Sequence, residues 1–247
     1  MKNNVIVFSD LHRSDGTGAD ACGITHERAI YNELVLLEKE NDIIAAGDID
    51  DYLKTTRRRL WKIYGGDLTE LIAENRIDGN HEYKQLVLPH YLRYGDCMIT
   101  HGHLWDGYDL GRWPRIGLQA WTGLLRFFNI GRKKTNYMQE NILCQNYKHY
   151  KQYLKNAAVF AIKQSIKILI FGHSHRSGIW FVGKKNLIPF AWSHKYFILD
   201  PYKVAELNDC VILVNIGRNV DPDFQYTKIK NYRGRIESIE IVRKVLQ

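Results

Sequence analysis

The apolar run Ile43-Ile44-Ala45-Ala46 ends abruptly at Gly47-Asp48-Ile49-Asp50-Asp51, and that junction constrains the chain more than any other stretch. Such a run, closed by a glycine, reads as a buried strand that stops at a turn. Rigid backbone at the mouth of a strand can hold a carboxylate with both oxygens available. Asp48 can therefore bridge two cations, provided other segments bring nitrogen and oxygen ligands to the same edge of the sheet.

Other segments repeat the pattern. Val5-Ile6-Val7-Phe8 runs into Ser9-Asp10-Leu11-His12, and in an extended chain the alternation of D-x-H points Asp10 and His12 to one side. Leu71 to Ile77 leads into Asp78-Gly79-Asn80-His81-Glu82, where the glycine frees the turn, Asn80 offers an amide oxygen and His81 can reach a substrate oxygen. Cys97-Met98-Ile99-Thr100 precedes His101-Gly102-His103, and Lys167 to Phe171 precedes Gly172-His173-Ser174-His175. Val211 to Asn215 and Ile236 to Val242 read as further strands. Between the strands, Thr25 is expected to cap a helix from His26 to about Lys39 with Ile30, Leu34 and Leu37 on one face. Tyr52 to Tyr64 is expected as a basic helix with Leu53, Leu60, Trp61 and Tyr64 inward and Arg57, Arg58 and Arg59 on a solvated face.

At 247 residues the chain is expected to form a single domain, 1–247, with an insertion. No apolar run approaches the roughly 20 residues that span a bilayer, and the chain enters a strand almost at once, so a cytoplasmic location is expected. Cys22, Cys97, Cys144 and Cys210 are far apart with no C-x-x-C spacing, and read as buried thiols. The net charge of +8 is concentrated: residues 104–167 hold eleven Lys/Arg against Asp106, Asp109 and Glu140. A basic block beside an acidic, metal-collecting edge points to an anionic, phosphate-containing substrate.

Residues 104–164 are expected as a helical insertion, dense in aromatics that include Trp105, Trp113, Trp121, Tyr150, Tyr153 and Phe160. Its second helix is placed at Tyr137 to Gln164. A helical hairpin packing its aromatic face on the core is one reading. A basic amphipathic surface for a membrane or lipid-linked substrate, peripheral to the bilayer, is another, and a nucleic-acid surface is a third.

The ordered set D-x-H, GD-x-x-D, GNHE, HGH and GHSH, each at a strand end, resembles the calcineurin-like metallophosphoesterase superfamily. The resemblance covers about Val5 to Ile216. It implies an α/β fold of two mixed β-sheets packed as a sandwich and flanked by helices. It also implies two divalent metal ions, with manganese, iron or zinc suited to these donors. One would be held by Asp10, His12 and His175, the other by Asn80, His101 and His173, with Asp48 bridging. The implied chemistry is dinuclear metal-dependent phosphoester or pyrophosphate hydrolysis, with a shared water as the source of the attacking hydroxide. In that pattern His81 contacts the phosphate and protonates the leaving oxygen, Asp51 orients His81, and Asn80 lies within reach of substrate; His103 is read either as a substrate contact or as a structural residue.

Two departures bear on the subfamily. Phosphoprotein phosphatases continue the second motif with Arg-Gly, where this chain has Tyr52-Leu53. UDP-diacylglucosamine pyrophosphate hydrolases carry arginine at the place of His81, although they share a helical lid between the fourth and fifth motifs. A nuclease or phosphodiesterase and a lipid-linked UDP-sugar pyrophosphate hydrolase therefore stay open as substrate classes. From a different class, so does a non-catalytic binding or scaffold module on the same fold.

Overall fold

The structure is a computed structural model and describes residues 2, 4–14, 22–52, 55–82, 88–94, 97–105, 147–182, 187–191, 197–199, 211–217, 219, 222–232 and 235–246. Its strands are β1 (Asn4–Phe8), β2 (Asn41–Ala46), β3 (Arg76–Ile77), β4 (Tyr91–Tyr94), β5 (Cys97–Thr100) and β6 (Ile168–Phe171). They continue with β7 (Gly178–Val182), β8 (Leu187–Ala191), β9 (Phe197–Leu199), β10 (Val211–Asn215), β11 (Asp223–Tyr232) and β12 (Arg235–Val245). The helices are α1 (Ile24–Glu38), α2 (Arg57–Tyr64), α3 (Asp67–Leu71) and α4 (Tyr147–Lys163).

The strands form two mixed six-stranded sheets, ordered β3-β2-β1-β11-β12-β9 and β4-β5-β6-β10-β7-β8. Within them β1, β2 and β3 are parallel neighbours, as are β5, β6 and β10. Parallel pairing needs a crossover, which α1 supplies between β1 and β2, and α4 between β5 and β6. The α/β sandwich expected from the sequence is thus the observed architecture.

Alternation along the strands builds the layers. Val5 and Val7, Ile44 and Ala46, Cys97 and Ile99, Ile168 and Ile170, and Ile212 and Val214 meet in one cluster between the sheets. The intervening residues of β1 and β2, Ile6, Phe8, Ile43 and Ala45, pack outward on Ile30 and Leu34 of α1. Met98, Leu169, Phe171 and Leu213 pack outward on Tyr150, Tyr153, Leu154 and Ala157 of α4. Strands covered on both faces read as continuous apolar runs, which is why these were visible in the sequence.

Two helix expectations need correction. In α1 the N-cap is Gly23, at φ 75° with no side-chain cap bond, so Thr25 lies inside the first turn. In α2 the helix begins five residues later than expected: Thr55 N–H donates to Asp51 O, and Thr56 caps by accepting from Arg59 N–H. Tyr52 is therefore a buried turn residue that packs with Leu60 and Tyr64, and Leu53 lies outside the described residues. Trp61 is not inward but 49% exposed, set against the Gly66 turn. A two-turn helix buries a narrow stripe, and Leu60 and Tyr64 fill it.

Of the expected insertion, residues 106–146 lie outside the described residues, and with them Trp113, Trp121 and the first part of the helix placed at 137–164. The described aromatics Trp105, Tyr150 and Tyr153 belong to the core cluster beneath α4, with Phe160 packed against it. Cys22 and Cys97 are free and buried; Cys144 and Cys210 lie outside the described residues. Among the described residues no helix is long and apolar enough to cross a membrane.

Candidate metal centre

Five strands, β1, β2 and β3 of one sheet and β5 and β6 of the other, each run into a loop carrying Asp, Asn or His. The first two loops are zipped together beyond the sheet: Asp10 N–H donates to Gly47 O, His12 N–H to Asp48 O, Arg13 N–H to Ile49 O and Asp51 N–H to Arg13 O. This ladder fixes Asp10, His12 and Asp48 relative to one another.

Backbone conformation marks the same residues. The non-glycine positive φ angles among the described residues are at Asp10 (57°), His12 (51°), Asp48 (52°), Ser165 (54°), His173 (64°) and His175 (57°). Five of the six are expected ligands. Left-handed non-glycine residues cost of order 1–3 kcal/mol each and persist where the surroundings over-determine them. The extended D-x-H expected from the sequence is accordingly corrected: Asp10 and His12 reach the same pocket through left-handed turns rather than through strand pleating.

Three convergent groups result: Asp10, His12 and His175; His12, Asp48 and His81; and Asp48, His101 and His173, with the ligand atoms of each group all within 4.8 Å of one another. In the first, Asp10 Oδ1 is 3.4 Å from His175 Nε2 and 3.8 Å from His12 Nε2. In the third, Asp48 Oδ2 is 3.2 Å from His101 Nε2, whose other neighbour is Asn80 Oδ1 at 3.2 Å. Asp48 Oδ2 also lies 4.0 Å from His12 Nε2, so this carboxylate stands between the two groups. All seven expected ligands are thereby brought together, Asn80 by its contact with His101.

The donor set fits cations. His12 Nε2 and His175 Nε2 face each other at 3.3 Å, and two imidazole lone pairs at that distance repel unless a proton or a metal ion lies between them. His101 Nδ1 lies 3.0 Å from Ala46 O, an arrangement in which Nδ1–H donates to the carbonyl and Nε2 is left for the pocket. Ser9 Oγ–H donates to Asp10 Oδ2, and His173 N–H donates to Asp10. Gly79 and Gly172 must lack a side chain, because a Cβ at either would overlap the carboxylate of Asp48 or Asp10.

The charges are strongly coupled to these contacts. Burial raises the Asp10 carboxyl, but the His175 hydrogen bond and the surrounding imidazoles outweigh it and hold the pKa at about 2. Burial likewise opposes ionisation of Asp48, which His101 and His81 nevertheless keep well below the usual carboxylate range. His101 is pushed up to about 10 by Asp48 against its own burial. His12 is pushed down to about 3 by burial and then by His81.

His81 and Asp51 lie beside the triads. The His81 Nδ1–Asp51 Oδ1 distance is 2.8 Å, which turns Nε2 toward Asp48 Oδ2 at 3.8 Å, and His81 N–H donates to Asp48 Oδ1 at 2.9 Å. The sequence reading keeps His81 outside both ligand sets, whereas the geometry also brings it into ligand range with His12 and Asp48. The His103 ring is 5.6 Å from that of His101, and burial lowers its pKa to about 3. Of the histidines outside the motifs, His26 is buried with Nε2 3.2 Å from Asp223 O, and the His90 ring is half exposed beside Asp78. His149 and His194 have side chains outside the described residues.

A buried ionic layer under the site went unread in the sequence. Arg13, fully buried, donates from Nε to Asp50 Oδ1 at 2.9 Å, from one terminal nitrogen to Glu27 Oε1 at 2.9 Å and from the other to Thr69 Oγ1 at 2.9 Å. Arg76 donates to Asp50 Oδ2 at 2.7 Å and to Glu82. Glu82 in turn accepts from Asp50 N–H at 2.8 Å and Gly79 N–H at 3.2 Å, which ties the Asn80-His81 turn to the Asp48 loop. Asn219 closes the far side, donating to Ser9 O at 2.7 Å. The available signal was the acidic partners' place inside the motifs, Asp50 in GDIDD and Glu82 in GNHE.

No family model matches the chain, and no curated protein matches it. Solved structures do. One is a conserved uncharacterized protein, a predicted phosphoesterase, from Streptococcus pneumoniae TIGR4, at 15% identity, TM-score 0.39, covering 97% of this chain and 98% of that one. Another is Vps29 from Entamoeba histolytica complexed with zinc, at 11% identity, TM-score 0.43, covering 99% of each chain. A third is a hypothetical protein from Thermus thermophilus, at 9% identity, TM-score 0.45, covering 99% of this chain and 100% of that one. These likenesses are weak, and the chemistry rests on the residues above.

Proposed function

We propose that this chain, with the two-sheet architecture and motif order of the calcineurin-like metallophosphoesterases, is a phosphoesterase that works with two divalent cations. One observation carries the reading: the buried Asp48 carboxylate stands between the Asp10, His12, His175 group and the His101, His173 group, with Asn80 beside the latter. Asp10, His12 and His175 would hold one ion, Asn80, His101 and His173 the other, and Asp48 both. Imidazole and carboxylate donors suit manganese, iron or zinc. Bound in such a pair, the ions supply Lewis acidity toward the phosphoryl oxygens and a nucleophile from water near neutral pH.

The chain's own groups do the rest. Asp51 accepts from His81 Nδ1–H and so presents Nε2 to the pocket, where it can give a proton to the departing ester oxygen. Asn80 and His103 line the side of the pocket near His101. The protein is expected to bind two equivalents of divalent metal, measured by elemental analysis after reconstitution. It is expected to cleave nitrophenyl phosphate, bis-nitrophenyl phosphate or a pyrophosphate ester. A chain that takes up both ions and cleaves none of them is the scaffold module instead.

The acid role makes a sharper prediction. His81→Ala should cost about 10²–10⁴-fold in kcat with alkyl esters, whose leaving oxygen needs a proton, and much less with nitrophenolate. Equal losses on both leaving groups would remove His81 as the acid.

A further inference from the structure

The loop that delivers His173 and His175 continues into Arg176, a guanidinium that the ligand set does not use. Its Cζ sits 5.0 Å from the centre of the Tyr150 ring. Tyr150 stacks on Tyr153 with centroids 6.3 Å apart and planes at 21°, and the Tyr153 ring lies 6.0 Å from that of His173. Both tyrosines are buried, at 1% and 2% exposure, so α4 gives Arg176 a fixed platform whose other end touches a candidate ligand.

The contrast with the chain's other arginines near the site is one of charge. Arg13 and Arg76 are buried and neutralised by Asp50, Glu27 and Glu82. Arg176 is partly exposed, and no carboxylate among the described residues pairs with it. A guanidinium can rest its face on an aromatic ring and keep its N–H edge for a phosphate in the bidentate geometry that arginine favours. Its backbone is one residue from His175, about 3.8 Å between Cα atoms, while its side chain lies over the Tyr150 ring.

We propose that Arg176 recognises a second phosphate of the substrate, one beyond the phosphoryl group that reacts. The preferred substrate class is then an ester carrying two phosphate groups rather than a simple monoester. This inference rests on the phosphoesterase reading above.

The test uses calorimetry on the full-length, metal-loaded protein in the His81→Ala background, where alkyl esters turn over slowly, so that it reads binding apart from turnover. Butyl phosphate is compared with the bisphosphates of ethanediol, butanediol and hexanediol. At least one bisphosphate should bind about tenfold or more tightly than butyl phosphate, the worth of a charge-assisted hydrogen bond. Arg176→Ala should erase that ratio and leave the butyl phosphate affinity, and kcat on nitrophenyl phosphate, within about twofold. Arg176→Lys should keep part of the ratio, since lysine supplies the charge without the fork. A protein that turns over no phosphate ester yet still shows the ratio would remove the phosphoesterase reading and leave Arg176 as the contact for a second phosphate of a bound ligand. An active protein with equal affinity for all four ligands overturns the assignment, as does an Arg176→Ala variant that weakens all four alike, or a protein that binds none of them.

Discussion

Asp48→Asn should leave the fold intact and remove the metal-dependent activity. Asp48 is 1% exposed, and its two oxygens have separate tasks. Oδ1 accepts the His81 N–H at 2.9 Å, and an asparagine oxygen can take over that bond, so the turn that carries Asn80 and His81 stays anchored. Oδ2 faces His101 Nε2 at 3.2 Å, His81 Nε2 at 3.8 Å and His12 Nε2 at 4.0 Å. Putting an amide NH₂ there removes the anion that both candidate ion positions share and turns a donor toward nitrogens that should be donating to a cation. Residues that only orient metal ligands are worth about 10–100-fold in metal affinity, so loss of the shared ligand should exceed the upper end of that range. Elemental analysis and nitrophenyl phosphate turnover with manganese check it, and far-UV circular dichroism verifies the fold. Full metal content and normal turnover in the Asp48→Asn protein would end the shared-carboxylate scheme.

What could be read from the sequence follows from where the information sits. Asp10, His12, Asp48, His101, His173 and His175 each adjoin a strand whose apolar run is unbroken, because β1, β2, β5 and β6 are covered on both faces, while Asn80 follows the short β3, Arg76–Ile77, and was marked by its motif alone. Residue type and strand end are both local, so convergence of these strand ends could be anticipated from the residues, though not that they come from two sheets rather than the edge of one. The route to it could not. Whether Asp10 and His12 sit on a pleat or in left-handed turns depends on the bonds His12 N–H makes to Asp48 O and Asp10 N–H to Gly47 O, and those partners are more than thirty residues away.

The same limit explains the rest. The β11–β12 hairpin pairs ten residues of register with a bulge between Lys230 and Asn231, yet only the middle of β12 was readable. In β11 buried Phe224 and Tyr226 join one core cluster and Ile229 the other, mixed with Gln225, Lys228 and Lys230, so no single apolar alternation runs along the strand. Arg13, Glu27, Asp50, Arg76 and Glu82 are ordinary charges in sequence and become one buried layer only after β1, α1, β2 and β3 have docked. Trp61 shows the converse, a large apolar residue left outside because the stripe of α2 is already filled by Leu60 and Tyr64.

The buried layer gives the largest expected loss of stability. Arg13→Met keeps an apolar stem of similar reach and deletes the donors to Asp50, Glu27 and Thr69. Asp50 retains Arg76, but Glu27, 5% exposed, loses its only ion-pair partner among the described residues. Removing one member of a buried pair strands the other charge, which typically costs about 3–5 kcal/mol, whereas replacing both partners by neutral groups can cost little. At about 2–4 °C per kcal/mol for a chain of this size, Tm should fall by roughly 10 °C. Glu27→Gln, by removing the stranded charge, should give part of that back when combined with Arg13→Met, with a coupling of about 1–3 kcal/mol in the cycle. Because Arg13 follows His12 directly and its backbone carries Asp51, the single variant should also weaken metal binding by about 10–100-fold, the scale of a lost orienting contact. Urea unfolding of the four proteins of the cycle decides the matter. Additive effects at Arg13 and Glu27, or a loss below about 1 kcal/mol for Arg13→Met, would mean that this layer is hydrated in solution and does not brace the metal loops.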